Sequence, residues 1–175
     1  MVVRAGVLTI SDKGSRGERV DESGPAVAEL IGSHGYEVSL RNVVPDEREE
    51  ISGTLVQWAD KHGLNLILTS GGTGLGPRDV TPQATLDIID FEVPGMAEAM
   101  RSANLKKTPR AMISRAVVGV RGSCLIINLP GSRKGAIENL EAVMPALDHA
   151  LSKLMGDTSD CAVQVQPSSR ANGAP

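Results

Sequence analysis

The sequence predicts an α/β fold with three layers: a mostly parallel sheet, helices on both faces, and a short antiparallel β pair near 111–129. Three observations predict this fold. Apolar runs of strand length alternate with runs of helical periodicity. The run Leu64–Ser70 is apolar on both faces except at Asn65, as is typical of a central parallel strand. Two glycine-rich loops each follow a strand and precede a helix, which is where α/β sheets place their ligands.

Length and composition favour one domain. The chain has 175 residues, of which 41% are hydrophobic, so it can bury one sizeable core. Only 2% are aromatic, which argues against the stacking platforms that bind single-stranded nucleic acid. We expect a single domain over 1–155. The segment 156–175 loses apolar periodicity and is predicted to be a disordered tail.

The charge is unevenly distributed. A net charge of −3 argues against a general nucleic-acid-binding surface. No Asp or Glu occurs between Ala99 and Ile137. This segment is either a solvated basic face or a surface that attracts a small anionic ligand. Its basic residues are Arg101, Lys106, Lys107, Arg110, Arg115, Arg121, Arg133 and Lys134.

The two cysteines, Cys124 and Cys161, show neither disulfide nor metal-ligand spacing, so we expect reduced, intracellular thiols. No apolar run approaches the length of a membrane span, and the N-terminus lacks the pattern of a signal peptide. These features predict a cytoplasmic protein without membrane contact.

The first half of the chain begins with two predicted strands, Val2–Ile10 and Tyr36–Val44. Between them, Ser23 is expected to cap a helix over Gly24–His34, and Gly35 to end it.

Asp46 has two interpretations. On local sequence it is a helix N-cap, because Glu47, Glu49 and an apolar face follow it and Gly63 ends that helix. It also follows a strand, so the topology can bring it to the ligand edge of the sheet.

The second half continues the alternation. Thr81 and Pro82 are expected to cap and begin a helix that extends to about Asp90. Pro94-Gly95 is expected to break the chain between helices. The remaining predicted elements are a helix over Ala97–Leu105, β runs over Ala111–Arg121 and Ser123–Leu129, and a helix from about Ala136 to Met155.

The glycine loop after Leu64–Ser70 is the strongest functional signal. It places four glycines in six residues, which lets successive N–H groups turn toward an anion such as phosphate. Arg78 adds a fork of donors, and Asp79 a carboxylate that suits a divalent cation beside the phosphate. The alternative is a turn that only lets a helix pack closely on the sheet. Neither the dinucleotide fingerprint nor the P-loop motif is present.

The second loop, Asn128–Gly135, leads into the last predicted helix. Gly131 and Ser132 precede that helix, and Arg133 and Lys134 supply positive charge, so the loop is a second candidate phosphate site. The alternative is a capped turn with surface charges.

Because loops at the carboxyl ends of parallel strands gather at one edge, Ser11, Asp12, Asp46 and both glycine loops can meet there. The inventory contains phosphate loops, cations and carboxylates, and no nucleophile with an adjacent base. This combination indicates phosphoryl or nucleotidyl transfer, in which positioning and Mg²⁺ do most of the work.

Five segments together resemble the molybdopterin adenylyltransferase family of molybdenum cofactor biosynthesis, which includes bacterial Mog and MoaB-type proteins and the G domain of gephyrin. The resemblance covers about residues 4–154. The segments are Thr-Ile-Ser-Asp (9–12), Val-Pro-Asp-Glu (44–47), Thr-Ser-Gly-Gly-Thr-Gly-Leu-Gly-Pro-Arg-Asp-Val-Thr-Pro-Gln-Ala-Thr (69–85), Pro-Gly-Met (94–96) and Asn-Leu-Pro-Gly-Ser-Arg-Lys-Gly (128–135).

The resemblance implies a homotrimer that joins AMP from Mg·ATP to the terminal phosphate of molybdopterin, with possible transfer of the product to a molybdenum-insertion protein. It implies Asp46 and Asp79 as the essential acidic pair and as ligands of Mg²⁺. The substrate- and nucleotide-binding residues that it implies are Ser11, Asp12, Ser70, Gly71, Gly72, Thr73, Gly74, Arg78, Pro94, Gly95, Met96, Pro130, Gly131, Ser132 and Lys134.

Two departures accompany the resemblance: Gln83 replaces an acidic residue of many members, and the segment after Gly156 has no counterpart. Two alternative functions stay open. One is a MoaB-type protein that binds molybdopterin without catalysis. The other is a nucleotide hydrolase on a similar fold, as in competence-associated relatives, which the short single-domain chain makes the weaker alternative.

Overall fold

The structure is a computed structural model that describes residues 2–158. Cys161 and nearly all of the predicted tail lie outside the described residues. Cys124 is a free, buried thiol, and burial raises its pKa to about 12. No helix within the described range is long and apolar enough to cross a membrane.

The described residues form one six-stranded sheet in the order β2-β1-β3-β6-β5-β4. The strands are β1 Arg4–Ile10, β2 Glu37–Val44, β3 Leu66–Ser70, β4 Phe91–Glu92, β5 Val118–Arg121 and β6 Cys124–Leu129. Strands β2, β1, β3 and β6 are parallel, and β5 runs antiparallel to both β6 and β4. The predicted mostly parallel sheet with an antiparallel pair is confirmed.

The helices in the described range are α1 Asp12–Ser15, α2 Ser23–Ser33, α3 Arg48–Val56, α4 Thr81–Leu86, α5 Pro94–Leu105 and α6 Arg133–Leu154. A π-helical turn, Gln57–Lys61, extends α3, and a 3₁₀ turn, Pro109–Ile113, follows α5. The short helix α1 directly follows β1 and is capped by Ser11, whose side chain accepts from the Gly14 N–H.

The core has two halves, one on each face of the sheet. In β6, Leu125 and Ile127 pack on the face that α2, α5 and α6 cover, whereas Ile126 packs on the opposite face with α3 and α4. This alternation follows from the period of two along a strand. Helices therefore cover both faces, as the sequence predicts.

Three predicted boundaries are wrong. Residues 111–117 precede β5 instead of extending it, because the chain there first makes a 3₁₀ turn. The helix predicted from Thr81 to about Asp90 ends at Leu86, and Phe91–Glu92 then pairs with β5 as the edge strand of the sheet. Pro94 begins α5, since proline at the first helical position lacks an N–H that would be unpaired anyway.

Two predicted caps also differ. Glu22, and not Ser23, is the N-cap residue of α2, and the Asp21 carboxylate accepts from the Gly24 N–H of the first turn at 2.9 Å. Thr81 lies inside α4, and its hydroxyl donates to the Gly71 carbonyl at 2.9 Å. The hydroxyl of Thr81 therefore anchors the glycine loop.

Candidate active site

The carboxyl ends of four parallel strands lie side by side. Ile10 is in register with Val44, and Ser70 with both Thr9 and Leu129. The loops that follow these strands therefore share one edge, and the expected convergence of the four segments is observed.

The first glycine loop turns sharply at the end of β3. Gly71 and Gly72 have φ values of 117° and 62°, which favour glycine. The Gly71 N–H donates to the Leu129 carbonyl at 3.1 Å, and the Thr81 N–H donates to the Gly72 carbonyl at 3.1 Å. The next N–H groups, 72–75, have no hydrogen-bond acceptor among residues 2–158. Successive unpaired amides of this kind form an anion-binding concavity.

The second glycine loop packs directly against the first. The Ser70 hydroxyl donates to the Pro130 carbonyl at 3.0 Å, and a β-carbon at Gly131 would lie only 3.2 Å from the Gly71 α-carbon. Ser132 caps α6, since its hydroxyl oxygen accepts from the Gly135 N–H at 3.2 Å. The partial positive charge at the start of this 22-residue helix thus lies beside the first loop.

Asp79 lies against the first loop. Its Oδ2 accepts from the Gly76 N–H at 2.7 Å. A β-carbon at Gly74 or Gly76 would lie 2.9 or 2.8 Å from that oxygen, so both glycines are required for the close approach. The carboxylate is therefore fixed beside the unpaired amides.

Asp46 lies near the start of the same loop, beside Gly72, and its interpretation as a helix cap is wrong. Glu47 occupies the N-cap position of α3 and makes no side-chain cap bond. The Asp46 carboxylate instead accepts from the Asp12 N–H at 2.8 Å, while the Asp12 carboxylate accepts from the Asp46 N–H at 3.1 Å. A β-carbon at Gly72 would lie 3.3 Å from Asp46 Oδ1. Asp46 and Asp79 thus flank the glycine loop.

The pKa values of two neighbouring carboxyls shift in opposite directions. Burial raises the pKa of Asp46 and outweighs the hydrogen bond from the Asp12 N–H, which lowers it; the negative charges of Asp12 and Asp79 also raise it. The hydrogen bonds from Arg78 lower the pKa of Asp12. Charge on Asp46 is therefore disfavoured until a cation or a donor compensates for it.

Arg78 is engaged by carboxylates. Its Nε and Nη2 donate to Asp12 at 3.1 and 2.8 Å, and its Nη1 lies 2.8 Å from Glu47 Oε1. These contacts hold Asp12, which in turn holds Asp46. Sequence reasoning treated Arg78 as an open phosphate fork and did not find the role of Glu47.

Two cavities open beside the paired loops. The first has a volume of about 340 Å³ and is lined by Ser11, Asp46, Gly71, Gly72 and Ser132, among others. The second has a volume of about 420 Å³, and the predicted residues that line it are Thr73, Gly74, Pro130, Ser132 and Lys134. Ser132 lines both cavities, so the glycine loops separate them.

The second cavity collects much of the acid-free basic segment. Arg101, Lys107, Arg110 and Lys134 line it, together with Glu138. This placement favours the interpretation that the segment attracts an anionic ligand. Sequence reasoning missed the polar side chains Asn104, Ser114 and Asn139, which also line the cavity.

Three predicted residues are not placed with the others. Pro94, Gly95 and Met96 form the first turn of α5, and none of them lines either cavity. Met96 is buried in the core. These residues follow the edge strand β4, whose end does not lie among the four parallel strands.

The acidic residues do not form a complete metal cage. Within residues 2–158, no group of three or more His, Cys, Asp or Glu side chains is placed to hold a metal ion. Mg²⁺ is commonly held by one or two carboxylates together with substrate phosphates and waters. Asp46 and Asp79, on either side of an anion-binding loop, fit that mode of binding.

The mostly parallel sheet, with two amide-rich loops and carboxylates at the carboxyl edge of its parallel strands, has the arrangement in which α/β proteins commonly bind phosphate. Comparison with known proteins specifies the class further. Residues 6–149 match the family described as "Probable molybdopterin binding domain", and the chain belongs to this family.

Individual relatives agree with this assignment. The chain is 38% identical over 162 residues to the molybdopterin adenylyltransferase of Helicobacter pylori J99, with 89% of each protein covered. Its structure matches the molybdopterin biosynthesis enzyme MoaB from Thermus thermophilus with a TM-score of 0.85 and 56% identity, over 89% of this chain and 98% of that one. The chain spans only 26% of cinnamon from Drosophila melanogaster and 22% of gephyrin from Dictyostelium discoideum, at 40% and 42% identity.

Proposed function

We propose that the chain catalyses the Mg²⁺- and ATP-dependent adenylylation of molybdopterin in molybdenum cofactor biosynthesis. A terminal phosphate oxygen of the pterin attacks the α-phosphorus of ATP, the bond to the β-phosphate oxygen breaks, and pyrophosphate leaves. The name of the H. pylori relative supports this reaction. The observation that carries the proposal is the run of unpaired amides 72–75 between Asp46 and Asp79.

Each part of the site has a role in this reaction. The unpaired amides receive phosphate oxygens and stabilise the charge that shifts during transfer. Asp46 and Asp79 would hold Mg²⁺, which neutralises phosphate charge when it is bound. The basic second cavity attracts the phosphorylated pterin, and the start of α6 adds positive potential beside the α-phosphate.

A pyrophosphate-release assay tests the proposal. Wild-type protein should release pyrophosphate only when molybdopterin, ATP and Mg²⁺ are all present. Asp46→Asn and Asp79→Asn should each lower turnover by about 100-fold or more, because each removes a charged ligand of the reacting centre. Asp87→Asn is a matched control, since Asp87 pairs with Arg48 at the surface. No release by wild type, or full release by both variants, would refute the reaction.

A molybdopterin-binding protein without catalysis is the second candidate. One observation favours it: the donor fork of Arg78 is engaged by the carboxylates of Asp12 and Glu47 and not left open for a phosphate. It predicts that molybdopterin binds while the assay gives no ATP-dependent product.

Three further features are proposed from the family resemblance. They are a homotrimer, delivery of the product to a molybdenum-insertion protein, and a cytoplasmic location. Sedimentation equilibrium of the full chain tests the first, with a mass three times that of the 18.3 kDa chain expected.

A further inference from the structure

Arg115 binds the glycine loop through three hydrogen bonds to main-chain carbonyls. Its Nε donates to the Gly74 carbonyl at 2.6 Å, and its Nη2 donates to the Asp79 carbonyl. Its backbone N–H donates to the Thr73 carbonyl at 3.0 Å. One half-buried residue therefore holds the backbone of the loop at Thr73 and Gly74 and the chain that follows it at Asp79.

These bonds determine which way the loop amides face. In a planar trans peptide the N–H points opposite to the carbonyl of the preceding residue. Because Arg115 holds the carbonyls of Thr73 and Gly74, the N–H groups of Gly74 and Leu75 are directed away from Arg115. Both belong to the run of amides without an acceptor among residues 2–158.

The guanidinium itself is outside both candidate ligand cavities. It lines a third, open cavity of about 440 Å³, which Leu75, Asp79 and Gln83 also line. Because the hydrogen bonds of its guanidinium go to the Gly74 and Asp79 carbonyls, Arg115 acts on the backbone of the loop.

The charge of Arg115 has no acidic partner. Its bonds go to carbonyls, and it forms no ion pair with any carboxylate of the described residues. Two other polar side chains line the same cavity, the uncharged Gln83 and the Asp79 carboxylate, and neither accepts a hydrogen bond from the guanidinium.

We infer that Arg115 is a positioning residue for the phosphate chain of the substrate: it orients the amides of Gly74 and Leu75 through their neighbouring carbonyls. This inference rests on the proposal that the loop receives phosphate. It assigns Arg115 no contact with the reacting atoms.

Binding of inorganic tripolyphosphate by the full chain tests the inference without pterin or turnover. Amide NMR of ¹⁵N-labelled protein is followed during the titration in wild type, Arg115→Lys and Arg115→Gln. Arg121→Gln is the matched control. Like Arg115, Arg121 donates to a main-chain carbonyl, that of Ile88, and it also binds the Asp60 carboxylate, but it lies at the opposite end of the parallel strands from the loop. Thermal unfolding verifies that each variant is folded.

We expect the Gly74 and Leu75 amide signals to shift in wild type and in Arg121→Gln with equal affinity. Both Arg115 variants should bind at least about tenfold more weakly, which corresponds to about 1.4 kcal/mol. The lysine variant keeps the charge but cannot reach two carbonyls with a rigid fork. Wild-type affinity in Arg115→Lys would show that charge alone matters and would overturn the inference.

The wild-type titration is itself decisive if the variants fail to fold. Tripolyphosphate that leaves the Gly74 and Leu75 signals unchanged would overturn the inference. The outcome is separable from the proposed function: a normal titration with no pyrophosphate release removes the reaction and keeps Arg115. Pyrophosphate release by wild type, together with wild-type tripolyphosphate affinity in Arg115→Lys, would keep the reaction and remove the role of Arg115.

Discussion

Both glycine loops present main-chain N–H donors at the carboxyl edge of the sheet. The two loops differ in the contacts that hold these donors in place. The first loop, 71–76, depends on positive φ values and on anchors from distant elements, namely Thr81 and Arg115. The second loop, 130–135, leads into the long helix α6. Ser132 caps this helix by accepting a hydrogen bond from the Gly135 N–H, three residues further along the chain. The first loop is therefore a product of tertiary structure, and the second of local structure.

This difference has an energetic consequence. A local cap contributes a fraction of the stability of its helix, so its loss is tolerated. A tertiary anchor holds a backbone conformation that the chain does not adopt alone, so its loss affects the whole site. Substitutions in the first loop should therefore have larger effects than matched substitutions in the second.

The largest difference is expected between Gly71→Ala and Gly131→Ala. At Gly71, φ is 117° and a β-carbon would overlap the Ile10 carbonyl oxygen, which is fixed in the sheet. We expect a loss of about 2–4 kcal/mol in the free energy of unfolding. Gly131→Ala meets the Gly71 α-carbon at 3.2 Å and should lose about 1 kcal/mol or less. Urea unfolding measures both, and equal losses would contradict the contrast.

The next pair is Thr81→Val and Ser132→Ala. Thr81→Val leaves the buried Gly71 carbonyl without its donor and should destabilise the fold by about 1–3 kcal/mol. It should also weaken tripolyphosphate binding, because the loop loses an anchor. Thr54→Val is a control, since Thr54 also donates to a carbonyl but lies on the exposed surface of α3.

Ser132→Ala removes only a helix cap. We expect a loss of about 1 kcal/mol, measured by the same urea unfolding, and a folded first loop. A loss for Ser132→Ala that exceeds that of Thr81→Val would reverse the order of the two loops.

The smallest effects concern two acids beside the first loop, and their signs should be opposite. The folded pKa of Asp46 is raised, so as pH rises above its ordinary value of 3.8 the unfolded state loses its proton first and wild type loses stability. Asp46→Asn keeps an oxygen that accepts from the Asp12 N–H, and removes the charge. It should therefore be slightly more stable than wild type at neutral pH, with the difference vanishing below pH 3.8.

Asp12→Asn provides the comparison. The folded pKa of Asp12 is lowered, so its carboxylate contributes stability above its ordinary pKa, and this contribution is lost as pH falls through the folded pKa. The variant should thus be less stable than wild type at neutral pH and equal to it in strong acid. Thermal unfolding from pH 3 to pH 7 distinguishes the two, and shifts of the same sign would contradict the assigned pKa directions.

The sequence predicted the features that periodicity and local motifs encode. Alternating strands and helices gave the layers of the fold, whereas the last helix was predicted from about Ala136 and begins at Arg133. The rule that loops after parallel strands gather at one edge also predicted the position of Asp46 correctly. The local sequence pattern, which predicted a helix cap, did not.

The rest depends on contacts between residues far apart in the chain. Arg115 binds carbonyls 41 and 36 positions earlier, and such bonds leave no periodic signal in the sequence. The hydrogen bond from Thr81 to the Gly71 carbonyl and the ion pair of Arg78 with Asp12 also join residues that are distant in the chain, so the sequence did not predict them. Pro94 was misjudged because proline is compatible with both a turn and a first helical residue.

The central claim is that the amides between Asp46 and Asp79 hold ATP while its α-phosphate is transferred to a pterin. Incubation of the full chain with molybdopterin, Mg²⁺ and ATP labelled at the α-phosphorus tests this claim most directly. The label should appear on the pterin in an amount equal to the pyrophosphate released, and Asp79→Asn should give neither product. Label that remains entirely in nucleotides while the pterin binds would contradict the claim.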